Sequence, residues 1–273
     1  MLLQENRNNI KNGSSRTVII ERKNMYQFFV PPENIQGNRI VITGEDVNHI
    51  KNVLRMKIGE EIAVSNGEDG KEYRCGIVEL SDEIVCELRF VKEDGVELPS
   101  KITLFQGLPK ADKMELIVQK AVELGVYEVV PVSMKRCVVK LDDKKQKSKI
   151  SRWQSIAEAA AKQSKRSIIP EVKPVMTMKQ AVSYAEVMDV ILVPYELAED
   201  MPKTREIIES IKPGQHVGFF IGPEGGFDEA EMQLAIEAGA VPITLGKRIL
   251  RTETAGFTVL SILMYQLEGK IIE

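Results

Sequence analysis

The chain has 273 residues, of which 43% are hydrophobic and 28% charged, and its formal net charge is −3. This length and composition indicate a soluble globular protein with one large domain or two ordinary ones. No segment approaches the roughly 18 unbroken apolar residues of a membrane span, and the N-terminus lacks an apolar signal core. Its 3 cysteines and 2 histidines share no metal-ligand spacing, so we predict a cytoplasmic protein with no membrane contact and no metal site.

The N-terminal part of the chain changes character at Met25. Residues 1–24 are polar, rich in asparagine and weakly patterned, so we interpret them as a disordered extension or an overlong start. Short β-type runs then follow one another: YQFFV, RIVI, EIAVS, YRCGIV and EIVCELRFV. One helical segment, DVNHIKNVLRM, interrupts them. This pattern predicts a small β-barrel domain over residues 25–98, which ends at the linker KEDGVELPS.

From Lys101 onwards, strand and helix patterns alternate. The predicted elements are strand KITLFQ, helix DKMELIVQKAVELG, strand VYEVVPV, helix SKISRWQSIAEAAAKQSKR, strand VILVP and helix EDMPKTREIIESI. Alternation of this kind is typical of an α/β domain, in which helices cover both faces of a mostly parallel sheet. We assign this domain to residues 99–273.

Two strand–loop–helix units in succession close the chain. The first reads HVGFFIG-PEGGF-DEAEMQLAIEAG, and Asp228 and Glu231 in it have the spacing of a helix capping box. The second reads VPITLG-KRILRTETA-GFTVLSILMYQL. Loops at strand ends are where α/β sheets bind ligands. The loops of these two units hold an unusual density of ionisable and hydroxyl side chains: Glu224, Arg248, Arg251, Thr252, Glu253 and Thr254.

The last predicted helix, from Thr254 to Leu267, is apolar nearly all round. A helix of this kind must be buried inside its own domain or against another surface. We favour a second copy of the chain and therefore predict a homodimer.

One segment of the chain is strongly basic. Between Lys135 and Arg166 there are eleven Lys or Arg and three Asp or Glu, a local net charge of +8 in a chain whose total is −3. A concentrated positive patch favours polyanion binding because each phosphate contact releases counterions. The alternative is a solvated lysine-rich loop and helix face.

The paired motifs IGPEGGF and LGKRILRTETA resemble the cofactor motifs of SPOUT-class RNA methyltransferases, and most closely those of the RsmE family. That family makes 3-methyluridine in 16S ribosomal RNA of the small subunit. The resemblance extends through YQFFVPPEN, HIKNVLRM, FQGLPKADKMELIVQKAVELGV, the KRCVVK segment and RWQSIAEAAAKQS, and covers residues 25–269.

The resemblance implies a C-terminal SPOUT domain threaded as a trefoil knot, which topology rules would not suggest, and a PUA-like N-terminal barrel. It also implies S-adenosylmethionine as cofactor and a pocket completed at a dimer interface. The implied cofactor-binding residues are Leu192, Pro194, Gly222, Pro223, Glu224, Gly225, Leu245, Gly246, Ile249, Leu250, Arg251, Thr254 and Ala255. The implied RNA contacts, within an assembled small subunit, are Arg55, Lys110, Lys113, Lys135, Arg136, Lys140 and Arg166.

The chemistry of N3 methylation suggests roles for three residues. Ring nitrogen 3 of uracil carries a proton at neutral pH and is a poor nucleophile until that proton leaves. We expect Arg251 to stabilise the developing negative charge or to orient the base, and Glu224 or Glu253 to accept the proton. Two alternatives are a SPOUT methyltransferase with another acceptor, such as a ribose oxygen or a transfer RNA base, and a non-catalytic RNA-binding protein.

Overall fold

The computed structural model describes residues 25–93 and 95–268. The prediction for residues 1–24 therefore lies outside the described residues. Two β-sheets organise the described chain, the first formed by residues up to Lys92 and the second by residues from Lys101 onwards.

The first sheet contains six strands: β1 (Gln27–Phe29), β2 (Ile35–Gln36), β3 (Arg39–Ile42), β4 (Glu61–Ser65), β5 (Glu72–Leu80) and β6 (Ile84–Lys92). Their order is β1-β4-β5-β6-β3-β2, and every pair is antiparallel except β1 with β4. The sheet packs around its own apolar cluster, in which Ile40, Ile62 and Ile84 are fully buried. The predicted short strands of this region are confirmed.

A helical insertion follows β3. It consists of α1 (Glu45–Asn48) and a π-helical turn over His49–Val53, with Ile50 buried against the sheet. The predicted segment ran to Met56, whereas Arg55 has a φ of 53°. A left-handed residue cannot continue a right-handed helix, so the helix ends before it.

The second sheet contains seven strands among the described residues: β7 (Lys101–Gly107), β8 (Glu128–Ser133), β9 (Glu171–Val172), β10 (Met176–Thr177), β11 (Val190–Pro194), β12 (His216–Ile221) and β13 (Val241–Ile243). Their order is β10-β8-β7-β12-β11-β13 with β9 beside β8, and every pair is parallel. The predicted α/β class is confirmed.

Within the described part of the chain, six helices accompany this sheet: α2 (Lys113–Glu123), α3 (Asp143–Ser164), α4 (Met178–Ala185), α5 (Met201–Ser210), α6 (Glu229–Glu237) and α7 (Thr252–Glu268). The central strands β7 and β12 are buried along nearly their whole length, and Phe105 stacks on Phe220 between them at a ring distance of 4.3 Å. Continuous apolar strands of this kind are typical of a parallel sheet covered on both faces.

Two parts of this domain differ from the prediction. Strands β9 and β10 and helix α4 were not predicted, although Thr177 and Gln180 form a capping box at the start of α4. Helix α3 was predicted to begin at Ser148 but begins at Asp143, because the Asp142 side chain accepts a hydrogen bond from the Lys145 backbone N–H and caps the helix five residues earlier. The lysine-rich run after Asp142 is therefore helical rather than a loop.

Helix α7 buries only one of its faces. Leu260 and Leu263 are fully buried, whereas Ile262 and Tyr265 on the other side are 39% and 82% exposed. Within the described ranges, no helix is long and apolar enough to cross a bilayer.

The two sheets are joined by a buried ion pair between Glu97, in the segment that links them, and Arg166, which follows α3. Glu97 Oε2 accepts hydrogen bonds from Arg166 Nε at 3.0 Å and from Nη2 at 2.5 Å. Arg166 Nη1 donates to the carbonyls of Val122 and Val126 at 3.1 and 2.6 Å. The Arg166 carbonyl in turn accepts a hydrogen bond from Gln27 Nε2 of β1 at 2.9 Å.

The second oxygen of Glu97 is also bound. Its Oε1 accepts hydrogen bonds from the backbone N–H groups of Ser167 and Ile168 at 2.8 and 3.1 Å. We call Glu97, Arg166 and the groups that they bind the Arg166 cluster. Because Arg166 is only 4% exposed and its guanidinium is engaged inside the protein, its position does not support the prediction that it contacts RNA phosphates.

Candidate active site

A large cavity opens at the carboxyl ends of β11, β12 and β13, where ligands bind in open α/β sheets. Its volume is about 1060 Å³. Three segments form most of its wall: residues 194–201 after β11, residues 221–227 after β12 and residues 244–252 after β13. Each segment leaves the sheet at the same edge because the three strands are parallel.

The loop after β12 is fixed by close backbone contacts and by a helix cap. A Cβ on Gly107, at the end of β7, would lie 2.7 Å from the Pro223 backbone nitrogen, so only glycine permits this approach. Gly226 has a φ of +67° and turns the chain towards α6. Asp228 and Glu231 form the predicted capping box of α6. The GPEGG sequence therefore places Glu224 on a short, anchored turn.

A buried polar chain ties the loops after β12 and β13 together. The Thr252 hydroxyl donates a hydrogen bond to the Gly222 carbonyl at 2.7 Å and accepts one from Gln106 Nε2 at 2.9 Å. Thr252 and Gln106 are both buried, and buried polar groups of this kind are stable only when paired. The start of α7 is thereby attached to the cavity wall.

Most of the predicted cofactor-binding residues lie on the cavity wall. Ten of them line it: Pro194, Gly222, Pro223, Glu224, Leu245, Gly246, Ile249, Leu250, Arg251 and Ala255. Three do not. Leu192 is fully buried within β11, the Gly225 carbonyl accepts a hydrogen bond from Arg136 at 3.0 Å, and Thr254 is exposed at the start of α7.

The residues on one side of the cavity were not predicted from the sequence. The wall after β11 includes Tyr195, Glu196, Ala198, Glu199 and Met201. The signal available in the sequence was the position of this segment directly after the apolar strand VILVP. Further lining residues that were not predicted are Ile221, Gly226, Phe227, Thr244 and Lys247. Arg248 and Thr252, which the sequence placed in the loops at the strand ends, also line the cavity.

Lys113, which was predicted to contact RNA, lies on the cavity wall between two carboxylates. Its Nζ is 3.0 Å from Glu224 Oε1 and 3.5 Å from Glu253 Oε2. The Glu224 carboxylate also accepts hydrogen bonds from the Lys110 backbone N–H at 3.1 and 3.3 Å. Glu253 does not line the cavity, and its Oε2 is buried without a hydrogen bond. We call Lys113, Glu224 and Glu253 the Lys113 cluster.

The Lys113 cluster keeps Glu224 ionised. Burial raises the pKa of the Glu224 carboxyl, but the hydrogen bonds from Lys113 and from the Lys110 backbone outweigh this effect and lower the pKa below its ordinary value. The hydrogen bond to Glu224 raises the pKa of the Lys113 ammonium. At neutral pH the cavity wall therefore presents an anionic acceptor beside a cationic donor.

The other predicted RNA contacts lie on the surface. Lys135 and Arg136 lie beside the loop after β12: the Lys135 Nζ is 2.9 Å from Asp228 Oδ2, and Arg136 binds the Gly225 carbonyl. Arg55, Lys110 and Lys140 are exposed. No group of three or more His, Cys, Asp or Glu in residues 25–93 and 95–268 is arranged to hold a metal ion.

Comparison with known proteins agrees with this architecture. Residues 96–264 match the model of an RNA methyltransferase domain, and residues 42–88 match that of an RNA methyltransferase PUA domain. The PUA-like character predicted for the first sheet is therefore confirmed.

Several relatives share one name, Ribosomal RNA small subunit methyltransferase E. The protein of that name from Bacillus subtilis (strain 168) is 41% identical over 83% of this chain and 90% of its own length. The one from Mesomycoplasma hyopneumoniae (strain 232) is 35% identical over 87% and 98%. The crystal structure of the Neisseria gonorrhoeae protein bound to S-adenosyl methionine has a TM-score of 0.72, with 32% identity over 87% of this chain and 95% of that one. This chain belongs to the ribosomal RNA small subunit methyltransferase E family.

Proposed function

We propose that this protein transfers the methyl group of S-adenosylmethionine to ring nitrogen 3 of a uridine in 16S ribosomal RNA. The observation that carries the proposal is the cavity at the ends of β11, β12 and β13, with its anionic Glu224 and cationic Lys113, in a chain of this family. The predicted methyltransferase class, the cofactor and the ribosomal RNA partner agree with the names of its relatives.

The cavity suits an adenosine-sized ligand next to a nucleobase. Its volume of about 1060 Å³ lies at the upper end of the range for small-molecule sites. Leu245, Ile249 and Leu250 supply apolar wall for an adenine ring, and the backbone from Gly222 to Glu224 supplies polar groups. When bound, the cofactor supplies an electrophilic methyl group on a sulfonium.

The residues of the chain then have to hold the base and remove its proton. Arg251 lines the cavity and is placed to orient the base or to stabilise negative charge on a carbonyl oxygen. A carboxylate of the Lys113 cluster accepts the N3 proton. Alignment of the two bound reactants contributes on the order of 7–11 kcal/mol to lowering the barrier, and the target base must leave its stack to enter the cavity.

The RNA surface proposed here comprises Arg55, Lys110, Lys135, Arg136 and Lys140. Its support is that all five side chains are exposed, and that Lys135 and Arg136 lie beside the loop that carries Glu224. We propose the assembled small subunit as substrate, since these cations come from both the PUA-like region and the methyltransferase region of the chain.

We also propose a homodimer formed through the exposed face of α7, in the cytoplasm. Its support is the exposure of Tyr265 at 82% and of Ile249, on the cavity loop, at 88%. The trefoil knot and the domain limits at residues 25–98 and 99–273 remain predictions.

The test is methyl transfer from labelled S-adenosylmethionine to unmodified small subunits, followed by nucleoside mass spectrometry. We expect 3-methyluridine, and a large loss with Arg251→Ala but not with Lys179→Ala, an exposed lysine on α4. Another methylated nucleoside would reject the acceptor and favour the alternative SPOUT activity. No product and no bound cofactor would favour a non-catalytic RNA-binding protein.

A further inference from the structure

The position of Lys113 separates it from the other cations of the proposed RNA surface. It is the first residue of α2, and its side chain is 29% exposed, beside Glu224 at 26% and Glu253 at 18%. A phosphate-binding lysine gains from facing solvent and the nucleic acid backbone, whereas this one faces two carboxylates at the cavity wall. Its surroundings are suited to a small polar group inside the cavity.

We propose that Lys113 and Glu224 together bind the Watson–Crick edge of the target uracil and thereby select uracil over cytosine. The inference rests on the proposed function, because it assumes that a uridine enters this cavity. It assigns Lys113 to the base rather than to a phosphate, and it assigns the proton acceptor to Glu224 rather than to Glu253.

The hydrogen-bonding capacity of the pair leaves room for a base. An ammonium has three N–H donors, and Lys113 uses one on Glu224 at 3.0 Å, while Glu253 at 3.5 Å is an ion pair without a hydrogen bond. A carboxylate offers about four lone-pair positions, and Glu224 receives hydrogen bonds from the Lys110 backbone and the Lys113 ammonium. Each partner keeps capacity for one more hydrogen bond.

The choice of Glu224 follows from access. Lys113 and Glu224 both line the cavity, whereas Glu253 does not. A base in the cavity meets an acceptor and a donor 3.0 Å apart, close enough for both to bond neighbouring polar groups on one pyrimidine edge. Glu253 is then a positioning residue, which helps to hold the ammonium in place.

Uracil matches this pair and cytosine does not. On uracil the N3–H donor lies between two carbonyl acceptors, so N3–H can donate to Glu224 while a carbonyl accepts from Lys113. On cytosine, N3 is an unprotonated acceptor, so it cannot donate a hydrogen bond to the Glu224 carboxylate. Sites that leave a buried polar group unpaired reject the wrong substrate strongly.

The same contacts account for the transfer step. The N3–H bond breaks and its proton passes to a Glu224 oxygen, while the N3 electron pair forms the bond to the methyl carbon. The electron pair of the carbon–sulfur bond returns to sulfur, so the products are 3-methyluridine and S-adenosylhomocysteine. Lys113 stabilises the negative charge that develops on the uracil carbonyl, and Glu224 then releases its proton to solvent.

The test compares Lys113→Met with the matched charge change Lys179→Met in the full-length protein. Single-turnover methyl transfer is measured at saturating small subunits, and subunit binding is measured against salt concentration. We expect Lys113→Met to lower the rate by about 100-fold or more, as for loss of one charge-stabilising donor, with the salt dependence of binding unchanged. Lys179→Met should match the wild type, and Lys113→Arg, which keeps donors, should retain more activity than Lys113→Met.

The outcomes separate the inference from the function on which it rests. Full single-turnover activity of Lys113→Met, with a salt slope reduced by about 0.7–0.9, the value for one lost phosphate contact, would overturn the inference. Wild-type protein that makes no 3-methyluridine would instead overturn the proposed function. Cooperative urea denaturation shows whether each variant is folded, and Lys113→Gln replaces Lys113→Met if the latter is not.

Selectivity gives a second readout. In subunits reconstituted with cytidine at the modified position, the wild type should transfer little methyl. Glu224→Gln can present an amide donor to cytosine N3, so the ratio of uridine to cytidine methylation should fall. An unchanged ratio would overturn the assignment of Glu224 to the base edge.

Discussion

The Arg166 cluster and the Lys113 cluster both contain ion pairs between residues distant in sequence, but they differ in the hydrogen-bonding capacity that their side chains leave unused. In the Arg166 cluster the guanidinium binds Glu97 and two carbonyls, both Glu97 oxygens are bound, and Arg166 is 4% exposed. In the Lys113 cluster the ammonium and Glu224 line a cavity and keep hydrogen-bonding capacity. A satisfied, buried pair fixes a structure, whereas an unsaturated pair on a cavity wall is available to a ligand.

The largest expected effect is on stability, from Arg166→Met. Removal of the guanidinium leaves Glu97 in a site where its side chain is only 15% exposed. Loss of one partner of a buried pair costs about 3–5 kcal/mol, and we expect a decrease of this size in the free energy of unfolding, measured by urea denaturation. Arg166→Met with Glu97→Gln should recover part of it. A decrease below about 1 kcal/mol would contradict the structural role of the pair.

Glu224→Gln should have the opposite signature, with a large effect on rate and a small one on stability. Loss of a positioned proton acceptor lowers rates by about 10²–10⁴-fold, so single-turnover methyl transfer should fall at least 100-fold. Lys113 keeps Glu253 as a partner and is 29% exposed, so no cation is left buried and alone. A decrease of several kcal/mol in the free energy of unfolding would show that this cluster is structural too.

The pH dependence of Lys113→Met tests whether the ammonium keeps Glu224 ionised in the Lys113 cluster. In the wild type, hydrogen bonds from Lys113 and the Lys110 backbone outweigh burial and keep the pKa of Glu224 below its ordinary value, so Glu224 stays a carboxylate as the pH falls. Without the ammonium, only the backbone hydrogen bonds oppose the effect of burial, so the pKa of Glu224 rises relative to the wild type. The residual activity should therefore decline at a higher pH than in the wild type. A pH profile of the transfer rate checks this, with Lys179→Met expected to show no shift.

The sequence predicted the elements and loops whose signals are local. The Asp228–Glu231 cap spans three residues, and the alternating strands and helices from Lys101 depend on patterns within single segments. Pro194, the last residue of VILVP, was given as a wall residue by the family resemblance and lines the cavity. Where a strong local signal conflicted with composition, as for Asp142 before a run of lysines, the prediction placed the start of α3 too late.

The roles of Arg166 and Lys113 could not be predicted from local sequence patterns. Both are cations that follow or begin a helix, and both were grouped as RNA contacts. What separates them is their partners, Glu97 at 69 positions and Glu224 at 111 positions along the chain. A single sequence does not show which residues so far apart in the chain come into contact. The burial and the partners of these two side chains are therefore known only from the fold.

Thr177→Ala, the smallest expected effect, separates stability from activity at a residue that belongs to neither cluster. Thr177 caps α4 by accepting a hydrogen bond from the Gln180 backbone N–H, and loss of such a cap costs about 1 kcal/mol. We expect the free energy of unfolding to fall by this amount and methyl transfer at 25 °C to keep its wild-type rate, with Thr177→Ser close to the wild type in both. If the rate fell along with stability, losses in the Lys113 cluster variants would also have to be attributed to weakened folding, and the distinction between the two clusters would fail.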